Sequence, residues 1–321
     1  MTRIAFFGTP DFAVDTLRAL NQFCLNNNHT LSLVVCQPDK LAHRGMKNVM
    51  PPVKEYALAH QLSIYQPSTL KKGSLDGDNF FSLMQADKSD ICIVAAYGKI
   101  IPARFLDLPK YGYINVHASL LPRWRGASPI QRAILHGDKE TGVCIMRMTP
   151  ELDAGDVYSE ARLAIKDHHT AGELSEDLAQ VGGELLVKTL PRILDSTLVP
   201  HPQSLEGMCY APLLTKNDGA INWRQPTSQV LKHILAMQPW PRAFTFFQGK
   251  RIFFFDGRPA QEHYANAQPG HILASGRHLT VATEDGAVTF DEVQAEGKKR
   301  MQVDQFIKGC NIEIGSSFDG F

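Results

Sequence analysis

The chain has 321 residues, too many for one small core, and its 33 basic and 33 acidic side chains leave no formal net charge at pH 7. Its 44% hydrophobic and 21% charged residues are those of an ordinary globular protein, and the neutral balance excludes indiscriminate binding to nucleic acid, so any RNA site must be a local patch. No uncharged apolar run nears the roughly 20 residues of a membrane span. The start at Met1-Thr2-Arg3, with an apolar run cut by Gly8 and Pro10, is unlike a signal peptide, and a cytoplasmic location is expected. Six scattered cysteines without a Cys-x-x-Cys pair predict neither a zinc site nor a disulfide framework.

Through residue 195, apolar strand-like runs alternate with helical patterns. Arg3 to Phe7 reads as the first strand, and Ala13, Thr16, Leu17 and Leu20 keep helical spacing after it. The Gly8-Thr9-Pro10 turn between them lacks the Gly-x-Gly-x-x-Gly spacing, so a structural turn is expected rather than a phosphate cradle. Leu31 to Gln37 is the second strand. The basic, glycine-containing loop Lys40 to Asn48 follows it; charge alone fits a solvated surface loop. Val53, Tyr56, Ala57 and His60 form a short helical pattern, and Ile91 to Ala96, Tyr113 to Ala118 and Thr141 to Met148 are further strands. Ser128-Pro129 offers an N-cap and first-turn proline for a helix through Leu135. The alternation predicts an α/β, Rossmann-like, mostly parallel sheet with helices on both faces.

From Thr170 to Leu190 a helical stripe of Leu174, Leu178, Val181 and Leu185 is interrupted by Gly182-Gly183 and closes near Pro191. Residues 196–209, with Pro200, Pro202 and weak periodicity, read as a linker between a catalytic domain at 1–195 and a smaller domain at 210–321. In the latter a helix at Ser228 to Met237 precedes short strands at Phe244 to Phe247, Arg251 to Phe255, Gly270 to Ala274, Leu279 to Ala282 and Ala287 to Val293, a pattern of a small β-barrel.

The chemistry concentrates in Asn115-Val116-His117-Ala118-Ser119-Leu120-Leu121-Pro122-Arg123-Trp124-Arg125-Gly126. Alternation on a strand projects Asn115 and His117 to one face, about 7 Å apart. An amide NH2 and a protonated imidazole aimed at one carbonyl oxygen would hold the charge that grows when a nucleophile adds. A nearby carboxylate favours the charged imidazole, and Asp153, in the turn-rich Glu151 to Asp156, is the candidate. The attacking group would come from the substrate, with Asp153 and His117 managing its proton. By themselves, an Asn-x-His pair on a strand is more often a satisfied structural pair than a catalyst, and an acidic residue after a strand is often only a helix cap.

Asn-x-His followed by Ser-Leu-Leu-Pro, then Leu-Asp-x-Gly-Asp at Leu152 to Asp156, resembles the formyltransferases that use 10-formyltetrahydrofolate. Within them, Ser119 to Gln131 is similar to the methionyl-tRNA formyltransferases. So, in order, are Arg3 to Phe12, Gln37 to Lys40, Ala95 to Pro102, Tyr210 to Pro212, Pro239 to Pro241 and Glu296 to Met301, spanning essentially the whole chain. The resemblance implies that Asn115, His117 and Asp153 are catalytic and that Ser119, Leu120, Leu121 and Pro122 contact the folate co-substrate. It also implies that the small barrel is OB-like. The reaction implied is formyl transfer to the α-amino group of methionyl-initiator tRNA through a tetrahedral intermediate, with no metal.

The resemblance further implies that the loop carrying Arg44 and Lys47 enters the acceptor end of that tRNA. Lys216, Lys250, Arg251, Lys298, Lys299 and Arg300 are expected to face RNA from the barrel, since phosphate contacts position a nucleic acid without reading it. The chain departs from the family pattern at His43, Met46, Leu235 and Arg242, where glycine, lysine, arginine and glycine are usual. A monomer is expected. An amino-sugar nucleotide as acceptor, hydrolysis of the formyl-folate, and a catalytically silent RNA-binding protein are the alternatives.

Overall fold

The run Ile4-Ala5-Phe6-Phe7 has no polar face, so the strand it forms, β1 (Arg3–Gly8), needs cover on both sides, and all four side chains are fully buried. The computed structural model describes residues 1–321 apart from 42–47, 263, 265, 266, 311, 320 and 321. Arg44 and Lys47, with the departures at His43 and Met46, lie outside the described residues. Two units emerge: Met1–Pro129, Glu140–Ala164 and Ser175–Pro212 form the first, and Ile130–Lys139, Ile165–Leu174 and Leu213–Phe321 the second.

In chain order, β1 is followed by α1 (Asp11–Asn26), β2 (Thr30–Val35), the short pair β3 (Lys40–Leu41) and β4 (Asn48–Val49), α2 (Pro52–Ala59), β5 (Ile64–Tyr65) and α3 (Leu75–Asp87). Then come β6 (Ile91–Ala95), α4 (Ala103–Leu106), β7 (Tyr113–His117), β8 (Arg125–Gly126), α5 (Pro129–His136), β9 (Glu140–Arg147), β10 (Val157–Ala164), α6 (Ala171–Leu194) and β11 (Tyr210–Ala211). The main sheet has the order β10-β9-β7-β6-β1-β2-β5. It is parallel from β5 through β7, whereas β9 runs antiparallel to β7 and β10 antiparallel to β9. The strand order reverses between β1 and β6, and in open α/β sheets ligands gather beyond the carboxyl ends of the strands at that reversal.

Local packing explains two glycine motifs. A Cβ on Gly8 would lie 2.7 Å from the Ala13 Cβ, so this glycine lets α1 start close to the sheet; Thr9 Oγ1 meanwhile donates to the Tyr97 carbonyl at 2.8 Å. These two contacts give the turn a role in packing α1 against the sheet. Helix α6 runs through Gly182-Gly183 without the expected interruption. A Cβ at Gly182 would stand 2.9 Å from Val116 Cγ1 and one at Gly183 3.1 Å from the Asp15 carbonyl oxygen. The glycines therefore belong to the buried face, with Leu178, Leu186 and Leu190, while Val181 and Leu185 are half-buried at its flank.

Cys24, Cys36, Cys92 and Cys144 are buried, and burial pushes the Cys144 thiol up to about 12, which keeps it protonated and inert. No helix among the described residues is long and apolar enough to cross a membrane.

The second unit holds α7 (Thr227–Ala236), β12 (Ala243–Phe247), β13 (Lys250–Phe254), β14 (Arg258–Pro259), β15 (Ile272–Ser275), β16 (Leu279–Ala282), β17 (Ala287–Phe290), β18 (Glu292–Ala295), β19 (Met301–Gln302) and α8 (Val303–Ile307). Its sheets are β12-β13-β18-β19 and β14-β17-β16-β15, all antiparallel. β17 and β18 are separated by Asp291 alone, so one run of chain serves both sheets, the strand sharing of a small OB-like barrel. Trp223, Phe254, Phe290 and Phe318 fill the interior, with Trp223 stacked on Phe318 at 5.7 Å between centroids.

Candidate active site

Alternation along β7 sends Ile114 and Val116 toward one face of the sheet, where Val116 packs under Gly182, and Asn115 and His117 toward the other. His117 is 5% exposed, and its Nε2 lies 3.1 Å from the Trp124 carbonyl oxygen. A carbonyl only accepts, so Nε2 carries a hydrogen, and Nδ1 is the ring atom left to face Asp153 Oδ2 at 3.7 Å. Asn115 Nδ2 stands 3.5 Å from Asp153 Oδ1. Both separations exceed a normal N–H···O bond, so the Asn115 amide and the His117 ring nitrogen face one small volume without being consumed there.

The direction of β9 brings Asp153 to this place. Because β9 runs antiparallel to β7, the end of β9 pairs beside the start of β7, Arg147 opposite Ile114. The connection from β9 to β10 then folds back along the strand face, with Asp153 in the left-handed region at φ +47°. Its carboxylate is pinned by the Gly126 N–H, which donates to Oδ2 at 2.8 Å. Two glycines make the approach feasible. A Cβ on Gly155 would fall 1.9 Å from the Arg147 carbonyl oxygen, and one on Gly126, at φ +118°, 2.6 Å from the Ala211 carbonyl oxygen. Gly155→Ala is expected to cost about 2–3 kcal/mol of stability by forcing the hairpin apart; a chemical-denaturation midpoint equal to wild type would refute this.

The segment expected as linker lies along this site. Gln203 Nε2 donates to the carbonyls of Asp153 at 2.8 Å and Gly155 at 2.7 Å. The Arg125 N–H donates to the Cys209 carbonyl at 3.0 Å, the Trp124 N–H to Cys209 Sγ at 3.4 Å, and β11 pairs with β8. Neither Gln203 nor the Trp124 carbonyl carries a signal in the sequence, because one sits in an aperiodic stretch and the other is main chain.

Residues 2–190 match the formyl transferase family and residues 213–311 the formyl transferase C-terminal domain. A methionyl-tRNA formyltransferase of Magnetococcus marinus is 42% identical over 314 residues, covering 98% of this chain and 97% of that one. Another, of Symbiobacterium thermophilum, is 42% identical over 320 residues, covering 99% and 95%. The chain belongs to the methionyl-tRNA formyltransferase family. Its fold is shared with HypX of Aquifex aeolicus in complex with tetrahydrofolic acid, at TM-score 0.66 and 17% identity over 99% of this chain and 50% of that one. It is also shared with an N-formyltransferase of Helicobacter canadensis in complex with folinic acid and dTDP-3-aminofucose, at TM-score 0.65 and 17% identity over 92% and 100%.

Of the four residues that the family resemblance assigns to folate, Ser119 is fully buried and donates to the Arg123 carbonyl at 2.6 Å, closing the turn that follows β7. Leu121 packs with Cys144, Met146 and Val157, and its N–H points to Cys144 Sγ at 3.4 Å. Leu120 and Pro122 are half-buried and keep open surface. Ser119 and Leu121 thus shape the loop that Leu120 and Pro122 present. Among the described residues no group of three or more His, Cys, Asp or Glu side chains is placed to hold a metal ion.

In the second unit Lys216 opens a 3-10 turn at Lys216–Gly219, and Lys250, Lys298, Lys299 and Arg300 are exposed. Lys250 starts β13, whose partner β18 ends just before Lys298, so this pairing gathers three lysines at one corner. Arg300 instead binds Asp256 and Glu292, and Arg251 lies 3.4 Å from Glu296, so carboxylates already offset both arginines. Arg242 sits at φ +74°, a backbone that favours glycine, and it covers the Phe253 ring at 4.3 Å while donating to Gln294 Oε1 at 3.0 Å. Leu235 is half-buried on α7.

Proposed function

We propose that this protein transfers the formyl group of 10-formyltetrahydrofolate to the α-amino group of methionyl-initiator tRNA, with Asn115, His117 and Asp153 as its catalytic residues. The observation that carries the mechanism is the Asp153 carboxylate, 3.5 Å from Asn115 Nδ2 and 3.7 Å from His117 Nδ1 and held by the Gly126 N–H. The folate, bound along Leu120 and Pro122, supplies an electrophilic carbon. As the amine nitrogen bonds to that carbon, Asn115 Nδ2–H and His117 Nδ1–H donate to its oxygen and stabilise the developing charge. Asp153 accepts the proton that the amine must lose, and the folate nitrogen gains one as its bond to carbon breaks, so the proton count is unchanged.

Charged initiator tRNA and 10-formyltetrahydrofolate are expected to yield formylmethionyl-tRNA and tetrahydrofolate in equal amounts. Formate release without an acceptor, or transfer only to an amino-sugar nucleotide, would overturn the reading. Lys250, Lys298 and Lys299 supply the barrel's phosphate contacts. Lys299→Ala is expected to raise KM for tRNA, leave KM for the folate unchanged, and reduce the salt slope of tRNA binding by about one; an unaltered slope removes Lys299 from the interface.

A further inference from the structure

Gln203 uses its whole amide. Nε2 donates to two main-chain carbonyls, of Asp153 at 2.8 Å and Gly155 at 2.7 Å, and Oε1 accepts from Arg125 Nη2 at 2.7 Å and Nε at 3.0 Å. Two carbonyls on one side and a guanidinium on the other allow only this orientation of the amide. Arg125 itself is 6% exposed and is anchored by its own N–H to the Cys209 carbonyl. The turn so gripped contains Asp153 at φ +47°, a left-handed conformation uncommon outside glycine, asparagine and aspartate.

We infer that Gln203, backed by Arg125, is a positioning residue for formyl transfer: it grips the main chain of the Asp153 turn and thereby sets the carboxylate against Asn115 and His117. The inference rests on the proposed reaction. Gln203 does not reach the reacting atoms; it acts through Asp153, and the stretch 203–211 clamps both the Asp153 turn and the Trp124 carbonyl that holds His117.

Gln203→Glu tests it. The variant keeps the side-chain length and the Arg125 contact but turns an oxygen, without a hydrogen, toward two carbonyl oxygens. A drop in kcat of about ten- to a hundredfold is expected, the scale of a misplaced reacting group, with KM for both substrates within about twofold of wild type. In an Asp153→Asn background, Gln203→Glu is expected to lower kcat by less than about twofold further, because the carboxylate it positions is gone. Arg125→Lys keeps the cation and loses the fork, and is expected to give a smaller kcat loss of the same kind.

Unchanged kcat in Gln203→Glu, a loss carried by KM alone, or full multiplication of its effect onto Asp153→Asn would overturn the inference. If Gln203→Glu does not fold, wild-type kcat in Arg125→Lys overturns it and a kcat loss in that variant sustains it. Absence of transfer by the wild-type protein would instead overturn the proposed reaction.

Discussion

Replacing Asp153 with asparagine is expected to slow formyl transfer by about 10²- to 10⁴-fold while leaving the fold in place, the range a general base contributes. Asparagine is the informative choice because position 153 lies at φ +47°, where asparagine is tolerated and alanine is strained. Its amide oxygen can still accept the Gly126 N–H that Asp153 Oδ2 accepts at 2.8 Å. What disappears is the negative charge facing His117 Nδ1 and the site that takes the amine proton. A melting temperature within about 3 °C of wild type is expected, the shift of roughly 1 kcal/mol in a chain of this size. Single-turnover formylation within about tenfold of wild type would remove Asp153 from the proton path.

Asn115→Ala comes second, with an expected loss of about 10²- to 10³-fold in kcat, or roughly 3–4 kcal/mol of barrier. Asn115 is partly exposed on β7 and its amide approaches Asp153 at a long 3.5 Å, so truncation strands no tightly bonded partner. Its NH2 matters when the formyl oxygen gains charge, which predicts a fall in kcat with little change in either KM. His117→Ala combined with Asn115→Ala should cost less than the product of the single losses, because both donors serve one oxygen. A variant that loses binding of the folate while keeping kcat would place Asn115 in substrate recognition instead.

The strands from β1 to β9 that carry long apolar runs were legible because their hydrophobic period alone specifies them. Those it did not reveal are short or split between solvent and core: β5 has two residues, and β10 alternates half-buried with exposed positions. Helix α6 shows how period can mislead. Gly182 and Gly183 look like breaks in a leucine stripe, yet they are the contact points at which the helix meets Val116 and Asp15. Arg242 is a similar case: it sits at φ +74°, a backbone that favours glycine, which no side-chain pattern announces.

Strand alternation and residue chemistry sufficed to place Asn115 and His117 together and to nominate Asp153, since a period of two is a property of the backbone itself. The direction of β9, the return of Asp153 along the strand face, the use of His117 Nε2 by a main-chain carbonyl and the grip of Gln203 all depend on contacts between residues up to 50 positions apart. Each of those contacts has a main-chain group as at least one partner, and nearly every residue carries the same main-chain donor and acceptor, so only the folded chain selects which one is used.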